Sequence, residues 1–222
     1  LAQPLFDPRS LPIDAIAGEP GLAPERLDAG WLRQRFAAQP AWAPETAETS
    51  YALRADGSPA TPASVLIALV QRPDALTILL TRRNADLTDH PGQVSFPGGR
   101  AEAFDASPVD TALRESEEEI GLARAHVEVI GTLPDYYTGT GYRVTPVVAL
   151  VAPPFELTAD PGEVAEIFEV PLAFLMDGLN HQRLSVELPT GRRSFYAMPY
   201  ETHFIWGATA GMLRNLFHLL RA

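Results

Sequence analysis

Apolar residues recur along this 222-residue chain with two different periods. From residue 64 the runs SVLIALV and ALTILLT are short, aliphatic and β-branched, and the turn-like QRPD separates them. That pattern predicts two adjacent strands, a hairpin, buried on both faces. QVSF then leads into a turn at Pro97, Gly98 and Gly99, and further strands are expected at 126–133, 143–151, 185–188 and 194–199. The second period is helical. Asp28 is an N-cap candidate for a helix carrying Trp31, Leu32 and Phe36, and Met212, Leu213, Leu216, Phe217 and Leu220 recur at helical spacing over 207–221. Between these, Ser107 suits an N-cap, Pro108 the first helical position and Asp110 the capping-box place, while Gly121 offers a left-handed stop with Leu122 beside it. Mixed strands with helices starting near 28, 108 and 207 predict an α/β protein whose sheet is covered on both faces. Residues 1–60, rich in Pro and Ala, read as a helical and irregular N-terminal extension, and 61–222 as the domain proper.

The middle helix sorts its side chains. At about 100° per residue, Val109, Ala112, Leu113, Ser116 and Ile120 share one arc, the face turned to the core. With Glu115 set at zero, Glu119 falls near about 40°, Glu118 near about −60° and Glu117 near about 200°, so three of the four acids share a face and one points away. Like charges four residues apart cost about 0.2–0.5 kcal/mol, and acids near a helix C-terminus oppose the macrodipole, so the cluster needs an offset. A hard divalent cation such as Mg²⁺, which prefers carboxylate oxygens, supplies one; a solvated surface helix is the plain alternative for a run of glutamates.

Composition narrows the chemistry. The chain has no cysteine, which removes disulfides, thiolate nucleophiles and sulfur-ligated zinc. All 17 basic residues are arginine, so no lysine is available for a Schiff base or for a Walker A loop. A net charge of −11 and a pI near 4.8 argue against nucleic acid or an anionic membrane as partner. The longest apolar stretch, 145–155, falls short of the roughly 18 residues of a membrane span, and the amino terminus lacks the pattern of a signal peptide. A cytoplasmic protein is the expectation.

FPGG, a loop and then ALRESEEEIGL carry a longer pattern, which resembles the Nudix box: a glycine, an acid in the loop, then arginine, glutamate, two further glutamates, glycine and an aliphatic residue. The matching positions are Gly99, Arg114, Glu115, Glu118, Glu119, Gly121 and Leu122, with Asp105 where the loop glutamate usually lies. The loop is one residue longer than the commonest form, and Ser116 replaces an apolar residue. The resemblance implies a Nudix fold, an α/β/α sandwich around a mixed β-sheet, and a Nudix hydrolase domain over 61–222 that cuts a pyrophosphate bond. It implies Mg²⁺ or Mn²⁺ held by Glu115, Glu118 and Glu119. Glu115, Glu118 and Arg114 would be catalytic, Arg114 by orienting the Glu118 carboxylate. The general base stays open among a glutamate of the box, Glu163 and Glu166, the last two expected on a later loop. Arg82, Arg83, Arg100 and Arg143, with Gly98 and Gly99, are candidates for contact with the substrate's phosphates, since guanidinium matches phosphate oxygens. Glu102 and Asp105 would assist the metal site or merely solvate it, and the five histidines show no metal spacing.

Over about residues 64–220 the chain further resembles the coenzyme A pyrophosphatase branch. LLTRRNADLTDHPGQVSFPGG supplies Leu79, Leu80, Thr81, Arg83, Gly92 and Phe96 to Gly99, and GYRVTPVV, EVAEIFEVPLAFLMD and IWGATAGMLRNL look like the same branch. Thr88 stands where the branch carries a second arginine, and Asn84 where it carries a serine. The small-molecule nucleotide substrate so implied is coenzyme A or an acyl thioester, cut to 3′,5′-ADP and 4′-phosphopantetheine. Another nucleoside diphosphate derivative is the alternative, and a non-catalytic binding module is a rival that the intact acids oppose. Trp206, Phe195 and Tyr196 would stack on adenine or belong to the core. A homodimer is implied by family analogy alone.

Overall fold

Apolar residues at both parities of a strand require cover on both faces, and the central strands of this protein have them. The computed structural model describes residues 6–45, 57–87, 92–188 and 191–222. The chain begins with β1 (Ile13–Ile16) and α1 (Ala29–Ala37), then β2 (Thr61–Gln71), β3 (Leu76–Arg83), β4 (Val94–Ser95) and β5 (Gly98–Arg100). Helix α2 (Pro108–Ile120) precedes β6 (Val127–Thr132), β7 (Tyr136–Tyr137), β8 (Tyr142–Val151) and β9 (Val164–Pro171). The chain ends with α3 (Leu172–Leu175), β10 (Gln182–Leu188), β11 (Gly191–Tyr200), β12 (His203–Trp206) and α4 (Gly207–Arg221).

On β2, Leu66, Ala68 and Val70 join one apolar cluster while Ile67 and Leu69 join the other; on β8, Val147, Ala149 and Val151 face the first, Val148 and Leu150 the second. Helix α2 covers the first face with Ala112 and Ile120, and Leu32, Phe36, Leu213, Leu216 and Phe217 of α1 and α4 cover the second. The result is an α/β/α sandwich. Its sheet is mixed: β2 runs antiparallel to β3 across the expected hairpin, but parallel to β8 from Thr61↔Tyr142 to Val70↔Val151. Strands β6 and β9 extend it on either side. A smaller sheet of order β1-β10-β11-β12 packs beyond α4.

Three expectations are corrected. Gly98 and Gly99 do not form a turn; they lie in β5, paired through Ser64↔Gly99 and Val65↔Gly98 to β2, and the chain turns at Phe96 and Pro97 instead. Gly98 has φ 151°, and a Cβ there would stand 2.4 Å from the Ser64 carbonyl oxygen, so this glycine marks a close approach of two backbones. Glu166 lies in β9 and not on a loop, whereas Glu163 does precede that strand on a turn. Strands β1, β7, β9 and β12, unforeseen from the pattern, are short or partly exposed, which blurs the alternation that identifies a strand. Segment 1–60 contributes β1, which pairs with β10, and the buried Leu32 and Phe36.

Candidate active site

Local signals fix α2. Ser107 Oγ accepts from the Asp110 backbone N–H and donates to the Asp110 carboxylate, closing the N-terminus. At the other end Gly121 adopts φ 69°, its N–H reaches the Glu117 carbonyl, and Leu122 N–H reaches that of Ser116, closing a Schellman-type stop. Ser116 fits an apolar face because its hydroxyl donates back to the Ala112 carbonyl at 2.7 Å.

Arg114 organises the acids. Its Nε and Nη2 each donate at 3.0 Å to Asp105, Nη1 donates at 2.8 Å to both Glu115 and Glu118, and Nη2 also reaches the Arg100 carbonyl. Asp105, half-buried with its side chain shielded, takes further bonds from the Thr111 hydroxyl and the Glu102 N–H. The Arg114 guanidinium holds this carboxyl far below the usual carboxylate range, against the opposing effect of burial. Asp105, one carbon shorter than the usual loop glutamate, still meets Arg114 with both oxygens.

The other two acids are less well compensated. Glu119 is 4% exposed; its carboxylate accepts the Gly98 N–H at 3.0 Å and lies 3.8 Å from Arg83 Nη1. Burial pushes it up to about 7, with Glu163 and Glu115 adding repulsion and Gly98 and Arg83 opposing. Burial likewise raises Glu115, against the pull of Arg114. A Cβ on Gly99 would lie 2.5 Å from the Glu115 carboxyl, so a larger residue there would displace that carboxylate from its present position. Glu118 is mostly exposed, and the charge of Glu163 repels both Glu115 and Glu119.

Residues 60–186, more than half the chain, match the NUDIX domain. The chain belongs to the Nudix family. It is 42% identical over 154 residues, 69% of this chain and 80% of the relative, to the "Uncharacterized Nudix hydrolase NudL" of Escherichia coli K12. It is equally 42% identical over 154 residues to the relative of that description from Photorhabdus laumondii, 82% of which is covered. Among solved structures it resembles the Nudix hydrolase RenU of M. smegmatis, with 23% identity, a TM-score of 0.46, and coverage of 54% of this chain and 78% of that one. This Nudix protein is thus a hydrolase of a pyrophosphate-bearing substrate, and hydrolases of the family generally need a divalent metal ion.

The Nudix acids fit such an ion in donor chemistry: hard carboxylate oxygens, two of them in half-buried or buried groups whose protonation burial favours. Among the described residues no three acid or histidine groups already stand at ligand spacing, and Arg114 Nη1 bonds both Glu115 and Glu118.

The other candidates divide. Arg83 faces Glu119, and its buried Nε has no partner among the described residues. Arg82, one residue earlier, points to the opposite face, where it donates at 2.9 Å to Glu166, which also pairs with His203. Arg82 and Glu166 therefore stand apart from the box. Arg100 donates to the Tyr142 hydroxyl beside the box, and Arg143 lies 3.7 Å from Asp135. Thr88 lies outside the described residues. Phe195 and Trp206 pack edge-on to each other, and Tyr196 donates to Glu45. His181 and His218 bond within the fold, to the Leu175 carbonyl and to Glu45. Thr111, the second partner of Asp105, carried no signal in the sequence, since only the folded loop brings Asp105 over its turn. No helix among the described residues is long and apolar enough to cross a membrane.

Proposed function

We propose that this Nudix hydrolase cuts the diphosphate of coenzyme A or its acyl thioesters, releasing 3′,5′-ADP and 4′-phosphopantetheine. The observation that carries this reading is the run from Leu79 to Gly99. Its branch-like residues Arg83, Gly98 and Gly99 are the ones set against Glu119 and Glu115. A divalent cation, Mg²⁺ or Mn²⁺, held by Glu115, Glu118 and Glu119 would supply charge neutralisation and Lewis acidity at the diphosphate. Arg114 orients Glu115 and Glu118, while Gly98 N–H and Arg83 hold Glu119. The Arg83 Nε, without a partner among the described residues, is a donor for a phosphate oxygen. Of the two later glutamates, Glu163 is the general base: it stands on the turn before β9 and its charge acts on Glu115 and Glu119, whereas Glu166 is engaged by Arg82 and His203. Its carboxylate takes a proton from the water that attacks phosphorus, and the bridging oxygen leaves with the second phosphate.

Thr88 in place of an arginine favours a second reading, hydrolysis of another nucleoside diphosphate derivative. Incubation with Mg²⁺ or Mn²⁺ and a panel of coenzyme A, acetyl-coenzyme A, ADP-ribose and NADH, with products resolved by mass, separates the two. Phosphopantetheine with 3′,5′-ADP is the expected result. AMP from ADP-ribose, with coenzyme A untouched, overturns the coenzyme A assignment and leaves the metal chemistry standing.

A further inference from the structure

A cavity of about 400 Å³ opens on the sheet face opposite the box, lined among others by Asp7, Arg9, Arg82, Glu166, Phe204 and Trp206. Its volume is that of an ordinary small-ligand site. Two walls, the segment around Arg9 and strand β12, come from outside the residues that match the NUDIX domain.

The lining has a specific chemistry. Arg9 is exposed, and its guanidinium lies 5.5 Å over the Phe204 ring; the nearby Asp7 carboxylate accepts from the Arg9 backbone N–H, and among the described residues the guanidinium makes no ion pair. In a chain of net charge −11, an arginine without an acid partner is a local source of attraction for an anion. Arg82 supplies a second guanidinium, shared with Glu166. His203 stacks on Phe168 with ring centroids 3.7 Å apart, bonds Glu166 through Nε2, and leaves Nδ1 buried with no partner among the described residues. Half-buried Phe204 and Trp206 add aromatic surface. Guanidinium groups bind phosphate oxygens, and aromatic faces beside them bind a flat heterocycle.

We propose that this cavity binds a phosphorylated nucleoside, with its base against Phe204 and Trp206 and its phosphate on Arg9 and Arg82. The nucleoside is either one end of the enzyme's own substrate or a free nucleotide. Arg82 and Arg83 are neighbours on β3 that face opposite ways, so a substrate anchored at the box reaches the cavity only by passing round the end of that strand.

The test is calorimetric titration of the full chain with adenosine 3′,5′-bisphosphate and with AMP, in EDTA so that neither metal nor turnover contributes. Saturable binding to the wild type is expected, weakened at least tenfold in Arg9→Glu and in Phe204→Ala, with thermal unfolding used to check that both variants are folded. Absence of saturable binding, or equal binding by Arg9→Glu, overturns the proposal; Arg9→Glu carries the test alone if Phe204→Ala does not fold. Either result is independent of whether coenzyme A is the substrate. Where binding is weakened, a parallel rise in KM for the hydrolysed diphosphate identifies the substrate's own end as the occupant. An unchanged KM identifies a free nucleotide.

Discussion

Two clusters of glutamates in this molecule are built in opposite ways. Glu19 and Glu45, from the N-terminal segment, close on Arg214 of α4, which is 4% exposed; His218 and Tyr196 add hydrogen bonds to Glu45. Burial raises the Glu45 carboxyl, but the bonds from His218, Arg214 and Tyr196 outweigh it and hold the group at about 2. In the box, Glu119 is buried more deeply, has one N–H and a distant arginine, and rises to about 7. Saturated with donors, the first cluster ties the N-terminal segment to the last helix. In the second, burial is not offset by donors, and that imbalance supports the cation site proposed there.

That contrast breaks most sharply at Glu119. Glu119→Gln keeps an oxygen for the Gly98 N–H and removes the buried charge, so hydrolysis measured at saturating Mg²⁺ should fall by about 10³-fold or more, while the melting temperature stays level or rises. Full activity in this variant would place the metal elsewhere. The opposite response is expected at Arg214. Arg214→Met leaves two carboxylates facing apolar surroundings, and chemical denaturation should show a loss of about 2–4 kcal/mol, discounted because Glu19 and Glu45 keep some solvent.

Asp105 sits between these extremes, since it is a saturated acid that serves the unsaturated ones. Asp105→Asn frees Arg114, and kcat should drop about 10–100-fold with little change in stability; a loss confined to stability would make the residue merely structural.

The smallest effect is on the pH dependence of stability. Glu45, depressed to about 2 from 4.5, stabilises the fold above its unfolded value, and that contribution disappears as pH falls from 4.5 towards 2. Glu119, raised to about 7, binds a proton more tightly when folded, so its effect has the opposite sign: stability falls as pH rises from 4.5 to 7. Urea midpoints across pH should flatten at the acid end in Glu45→Gln and between 4.5 and 7 in Glu119→Gln.

The legible and illegible parts of the molecule divide along the same line. Everything local to α2 could be read directly: Ser107 and Gly121 are signals carried by single residues, and helical geometry alone turns three of the four acids one way. The buried parity of β2 and β3 was equally plain. The turn at Gly98 was misread because glycine marks both a tight bend and a close approach, and only the path of β2 decides between them. Arg82 and Arg83 looked equivalent; strand alternation separates them, but which one meets the box depends on α2 lying on that face. The Glu19, Glu45 and Arg214 cluster was invisible because its members are joined across 169 to 195 positions of sequence.

The central claim is that Glu119 belongs to a cation site, and the thermal shift produced by Mn²⁺ tests it most directly. At pH 8, where the Glu119 carboxyl is ionised against its burial, millimolar Mn²⁺ should raise the melting temperature of the wild type and leave that of Glu119→Gln nearly unmoved. An equal rise in both proteins would show that the ion binds without this carboxylate, and would contradict the account.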